Sequence, residues 1–131
     1  MKYSIDKKEQ YSMFVLQEEK LDASIAPELK SELITMHAEG VNNLILNMDH
    51  VKYTDASCLS ALLVGNRIYR EDGGMFVLCN LNEHVMKLIK ISQLDSVMSL
   101  LPTAEEAVDA VFMNEIERDL NGGSNKENGA D

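Results

Sequence analysis

The sequence predicts a mixed α/β domain, with largely parallel strands joined by right-handed crossovers and helices packed mainly on one face. Two short runs, NLILNM (residues 43–48) and GGMFVLCN (73–80), have the near-continuous apolar character of strands buried on both faces. Around them lie segments whose apolar residues recur every three or four positions, the mark of amphipathic helices. Alternation of the two patterns implies parallel pairing, because parallel neighbours need a crossover between them. At 131 residues and 45% hydrophobic content, the chain can bury one real core.

YSIDKKE places Tyr3 and Ile5 on one side and Ser4 and Asp6 on the other, a half-buried strand. SMFVLQ supplies a second strand through Met13, Phe14, Val15 and Leu16, and Lys7 to Gln10 make a hairpin turn between the two. LDASIAPELKSELITMHAEGV reads as a helix with Asp22 and Ser24 as candidate N-caps and Pro27 in the first turn, where proline is tolerated. Ile25, Leu29, Leu33 and Met36 form its inner face, and Gly40 stops it.

NLILNM follows as a buried strand, and a polar cluster, Thr54-Asp55-Ala56-Ser57, leads into the helix CLSALLVGNRIYRE. Its inner stripe is Leu59, Leu62, Leu63, Asn66 and Tyr69, while Arg67 and Arg70 sit late in the helix, where cations suit the dipole. After GGMFVLCN comes a short helix, NEHVMKLIKISQL, with Val85, Leu88 and Ile89 inward. DSVMSLLP then carries a last strand ended by Pro102. Thr103 and Glu106 have capping-box spacing before a final helix striped by Ala104, Ala107, Val108, Val111, Phe112 and Ile116. Val108, Val111 and Phe112 are expected to cover the domain's own sheet. The predicted order is β-β-α-β-α-β-α-β-α over residues 1–120. NGGSNKENGAD (121–131) is too polar to repay its ordering entropy and is expected to be a disordered tail.

The formal net charge of −10 argues against binding nucleic acid or anionic membranes, which need a basic surface. Lys30, Lys52, Arg67 and Arg70 are scattered rather than grouped. No apolar run is long enough to span a bilayer, and MKYSIDKKEQ lacks a signal-peptide core, so a soluble cytoplasmic protein is expected. Cys58 and Cys79 form no CxxC pair and no histidine follows at ligand spacing, so both read as small hydrophobes rather than zinc ligands or a disulfide. The eight methionines read as core filling.

At TDAS, Asp55 or Ser57 can accept a hydrogen bond from an orphan backbone N–H at the start of the helix. The same position favours a phosphate, since a helix N-terminus offers free N–H groups and partial positive charge. A phosphate on Ser57 would add about −1.5 to −2 charges beside Asp55, which the fold tolerates and a docking partner does not. Nucleophilic catalysis lacks its parts. His37, His50 and His84 cannot be placed beside Ser57, and no GxSxG elbow is present. The phosphate-cradling GxxxxGK[ST] pattern is also missing, so no cofactor is expected, and weak nucleotide binding near Asp22 has no motif behind it. Asp22, Asp49 and Asp55 are the carboxylates from which a Mg²⁺ cluster or a small hydrolase could be built, the latter a distant alternative.

The element order together with VKYTDASCLSALL resembles the STAS domain, the fold of bacterial anti-sigma factor antagonists. In that family a strand ends in an apolar-x-Asp-Ser-Ser-Gly-Leu-like motif whose second serine is the phosphoacceptor. The resemblance carries that role to Ser57, the motif aspartate to Asp55 and the leucine to Leu59. A second family signature, Leu-Asp before a helix with Ala-x-x-Leu, looks like LDASIAPELKSEL and implies that Asp22 lies near the phosphoacceptor.

The implied function is regulatory binding without chemistry of its own. Unphosphorylated protein binds an anti-sigma factor that is often also a serine kinase. Phosphorylation ends the binding, and a serine phosphatase resets it. The chain departs from the pattern at three places: Ala56 replaces the first serine, Thr54 replaces an apolar residue and becomes a competing acceptor, and Cys58 replaces glycine. Cys58 is expected to intrude where a kinase approaches. That motivates an alternative, a STAS module never phosphorylated that serves as a scaffold or in a transport or stress-sensing complex, with the long last helix as its partner surface.

Overall fold

A computed structural model describes residues 1–120 in full and the backbone alone over 121–130, so the expected disordered tail at 121–131 lies outside the fully described residues. The chain opens with β1 (Tyr3–Lys7), β2 (Ser12–Leu16), the two-residue β3 (Lys20–Leu21) and α1 (Ala26–Ala38). Next come β4 (Leu44–Asn47), a second two-residue strand β5 (Tyr53–Thr54), α2 (Ala56–Glu71) and β6 (Phe76–Cys79). It closes with α3 (Glu83–Ile91), a turn of 3-10 helix (Leu94–Ser96), β7 (Ser99–Leu101) and α4 (Ala104–Ala130).

The main sheet runs β1-β2-β4-β6-β7, and only the β1–β2 hairpin is antiparallel. The hairpin turn is closed by the Lys8 N–H on the Tyr11 carbonyl (2.8 Å). Side chains divide strictly by parity along the strands, as a pleated backbone requires. Phe14, Leu16, Leu44, Leu46, Phe76 and Leu78 face one core, together with the inner stripes of α1, α2 and α3. Ile45, Val77 and Cys79 face the other way and meet Ala107 and Val111 of α4. Three helices therefore share one face, as expected, and α4 alone covers the reverse. Phe112 does not join Val108 and Val111 on the sheet: it lies at the helix margin, edge-on to Tyr11 and 43% exposed.

Two features depart from the predicted element order. β3 and β5 pair in parallel as a separate two-stranded sheet, Lys20 opposite Tyr53 and Leu21 opposite Thr54. Two-residue strands have no periodicity to read, so only tertiary pairing defines them. The start of α1 also differs. Ile25 is its cap and makes no side-chain bond, while Asp22 and Ser24 form a turn ahead of it. Pro27 occupies the first turn as expected, and the end of α1 is fastened by Gly40 N–H on the His37 carbonyl and Val41 N–H on the Met36 carbonyl. Gly40 adopts φ +106°, the left-handed region that glycine tolerates. α2 ends in the same way at Gly73 (φ +80°), with Gly74 N–H on the Tyr69 carbonyl. Thr103 caps α4 by accepting from the Glu106 N–H (3.1 Å).

Candidate functional site

β5 delivers the polar cluster to the carboxyl-terminal edge of the strands, and α2 starts there. Asp55 is the N-cap: its extended backbone (φ −120°) lets one carboxylate oxygen accept from the Cys58 N–H at 3.2 Å. Its other oxygen accepts from the Ala23 N–H at 3.1 Å. One side chain thus binds the start of α2 to the turn before α1, and the Asp55 N–H adds a bond to the Leu21 carbonyl (3.1 Å). Asp55→Ala is expected to cost about 1–2 kcal/mol as a lost cap. Asp55→Asn, which keeps an acceptor oxygen, should recover most of that in urea denaturation.

Asp22 stands on the other side of this junction. Its carboxylate accepts from the Ser24 hydroxyl and N–H, and those bonds hold its pKa below the ordinary carboxylate range. Its backbone carbonyl accepts from the Cys58 thiol at 3.2 Å. The LDAS and TDAS stretches, 33 positions apart in the sequence, therefore meet at one place.

Ser57 is the second residue of α2 and is exposed. Among the described residues no acceptor takes the Ala56 or Ser57 N–H, as is normal for a helix's first turn. Beside Ser57 runs a shallow groove of about 310 Å³ between α1 and α2, with Pro27 and Lys30 on one wall and Ser60 and Val64 on the other. Thr54 is buried at 1% exposure, and its hydroxyl has no partner among the described residues.

Cys58 differs from its expected placement. It does not intrude on the surface, because its position, four residues before Leu62 and eight before Asn66, turns it inward with the buried stripe. It is fully buried, and burial, reinforced by Asp55 and then Asp22, pushes the thiol up to about 12. Cys79 is buried and pushed up to about 11. Thiol reagents at neutral pH are expected to label neither cysteine in folded protein and both in denaturant, as counted by mass spectrometry. A thiol pKa above its unfolded value of 9.0 contributes stability below about pH 9 that fades as pH rises toward 12.

The other candidate groups do not converge. Among the described residues no three His, Cys, Asp or Glu side chains are grouped to hold a metal ion, so Asp22, Asp49 and Asp55 do not make a Mg²⁺ cluster. His37 pairs with Asp72 at 2.6 Å, and His84 stacks on Tyr53. No helix among the described residues is long and apolar enough to cross a membrane.

Comparison with known proteins agrees with this architecture. The STAS domain family profile matches residues 3–107. A Bordetella bronchiseptica protein that carries the name of an anti-sigma factor antagonist, BtrV, is 28% identical over 100 residues, covering 75% of this chain and 84% of its own. An anti-sigma factor antagonist from Mycobacterium paratuberculosis superposes with a TM-score of 0.75 at 19% identity, covering 84% and 92% of the two chains. The unphosphorylated anti-sigma factor antagonist SpoIIAA gives 0.71 at 22% identity, covering 84% and 96%. The phosphorylated form of Bacillus SpoIIAA gives 0.64 at 21%, covering 84% and 99%.

Proposed function

Because this chain belongs to the STAS domain family, we propose that it is an anti-sigma factor antagonist whose binding is switched by a phosphate on Ser57. The protein binds an anti-sigma factor that doubles as a serine kinase. The kinase modifies Ser57, the complex separates, and a serine phosphatase restores the antagonist.

The observation that supports this reading most is the position of Ser57. It is an exposed hydroxyl in the first turn of α2, next to the Asp55 that ties α2 to the LDAS turn. A phosphate there has two free N–H groups and the helix's positive end close by, so folding tolerates it. A partner seated on the same surface must bury a phosphate beside two carboxylates, Asp22 and Asp55, and taking an unpaired charge out of water costs several kcal/mol. Thr54 falls away as a competing acceptor, since a kinase cannot reach a hydroxyl packed inside the domain. That the relative BtrV is named as an anti-sigma factor antagonist, and that SpoIIAA is known in both phosphorylation states, supports the same assignment.

Incubation with a candidate anti-sigma kinase and ATP is expected to add one phosphate at Ser57, located by mass spectrometry. Ser57→Ala should bind that kinase as wild type does, whereas Ser57→Asp should bind roughly 100-fold more weakly. No phosphate on Ser57, or full-strength binding by Ser57→Asp, would sink the proposal. The scaffold alternative rested partly on Cys58 obstructing the kinase, and the inward thiol removes that motive.

A further inference from the structure

α3 and α4 both expose apolar surface, and the charges around the two patches are opposite. On α4, Phe112, Met113, Ile116 and Leu120 are 43–66% exposed and lie on the outward side of the helix. Their flanks are acidic: Asp109, Glu117 and Asp119 share that side, and Arg118, the single cation between residues 104 and 120, pairs with Glu115. On α3, Met86 and Ile91, with Leu81 just before the helix, line a groove of about 430 Å³ edged by Lys87 and Lys90, with Glu83 its one acid. Ile91 is 69% exposed. In a protein of net charge −10, a patch with two lysines and one acid stands out.

We propose that the outer stripe of α4 in one copy docks into the α3 groove of a second copy, forming a head-to-tail contact. Charge selects this pairing over the alternatives. Two α4 stripes face to face would oppose acid to acid, and two α3 grooves would oppose lysine to lysine. Only α3 against α4 buries both apolar patches while bringing Lys87 and Lys90 to Glu117 and Asp119. General repulsion between copies is screened beyond about 8 Å at physiological ionic strength, while groups in contact are not. The two surfaces lie on opposite faces of the sheet, one with α1 and α2 and the other on the reverse. The contact therefore does not close on itself as a two-fold dimer and can add further copies.

The test is static light scattering of the full chain across a concentration series, and it needs neither kinase nor anti-sigma factor. Wild-type mass should rise with concentration and pass that of a dimer. The double variant Lys87→Glu/Lys90→Glu makes both surfaces acidic, and Glu117→Lys/Asp119→Lys makes both basic. All four positions are exposed, so both variants should keep the wild-type circular dichroism spectrum. Each alone should associate at least roughly tenfold more weakly than wild type, and a one-to-one mixture should recover association, since every unlike contact is again complementary. Association that persists in either variant alone overturns the proposal, as does a mixture that stays monomeric. A wild type that is monomeric throughout also overturns it. The stripe then belongs to another protein, and binding of monomer to phosphatidylglycerol vesicles through Lys87 and Lys90 would make α3 a membrane face instead.

Discussion

Gly74→Ala is expected to destabilise the domain by about 3 kcal/mol, the upper range for overpacking, and to lower its melting temperature by roughly 10 °C. A Cβ at this position would lie far inside van der Waals contact with the Asn42 carbonyl oxygen, and 3.4 Å from the Tyr69 carbonyl. Neither obstacle is a side chain that can swing aside. The Asn42 segment is held by its neighbour Asn43, which donates to the Gln10 carbonyl and the Glu115 carboxylate and accepts from the Met75 N–H. Leu44 N–H then bonds the Met75 carbonyl and starts the β4–β6 ladder. Relieving the clash means moving the end of α2 away from that ladder. Gly40→Ala is the control, since Gly40 also ends a helix but nothing lies within 4 Å of its added Cβ. Only the left-handed backbone opposes that change, at about 1 kcal/mol. Equal losses at the two glycines, measured by thermal melting, would remove the steric account.

Phe76→Ala is expected to cost at least as much, about 3–5 kcal/mol, with the upper end reached if the cavity fails to collapse. Phe76 is 1% exposed on β6, an interior strand paired on both sides, its ring 5.7 Å from that of Tyr69 and against the glycine that lets α2 approach the sheet. A Cβ on that glycine, Gly65, would sit 3.0 Å from the Phe76 ring and 2.9 Å from a Leu33 methyl. The two positions should therefore couple. Gly65→Ala is expected to cost less in the Phe76→Ala protein than in wild type, because half of its obstruction is gone. A double-mutant cycle in urea measures this, and strict additivity would contradict the packing described.

The sequence carried the main elements because each repeats a pattern over enough residues. β4 and β6 were legible as apolar runs, and α3 through Val85 and Ile89, both fully buried. What stayed illegible was short or depended on contacts distant along the chain. β3 and β5 exist only as partners of each other. Asp22 and Ser24 carried a valid capping signal, but Asp22 used its carboxylate to close a turn onto Ser24 instead. At the site, the choice between Asp55 and Ser57 as cap needed the backbone, which put Asp55 outside the helix and Ser57 within it. Cys58 lies four residues before Leu62 and eight before Asn66, and that helical spacing, not the glycine the family carries there, decides that its side chain points inward. Asn43 gave no local sign at all, since its three bonds reach Gln10, Met75 and Glu115.

The double use of Asp55 also bears on speed. Because its carboxylate already holds the turn at Ala23 and the start of α2 together, the surface around Ser57 is assembled before any partner arrives. A phosphate there changes what the surface repels without requiring the chain to rearrange. On the proposed reading, the lag between signal and response is then set by enzyme turnover and complex dissociation, with no conformational search added in either direction.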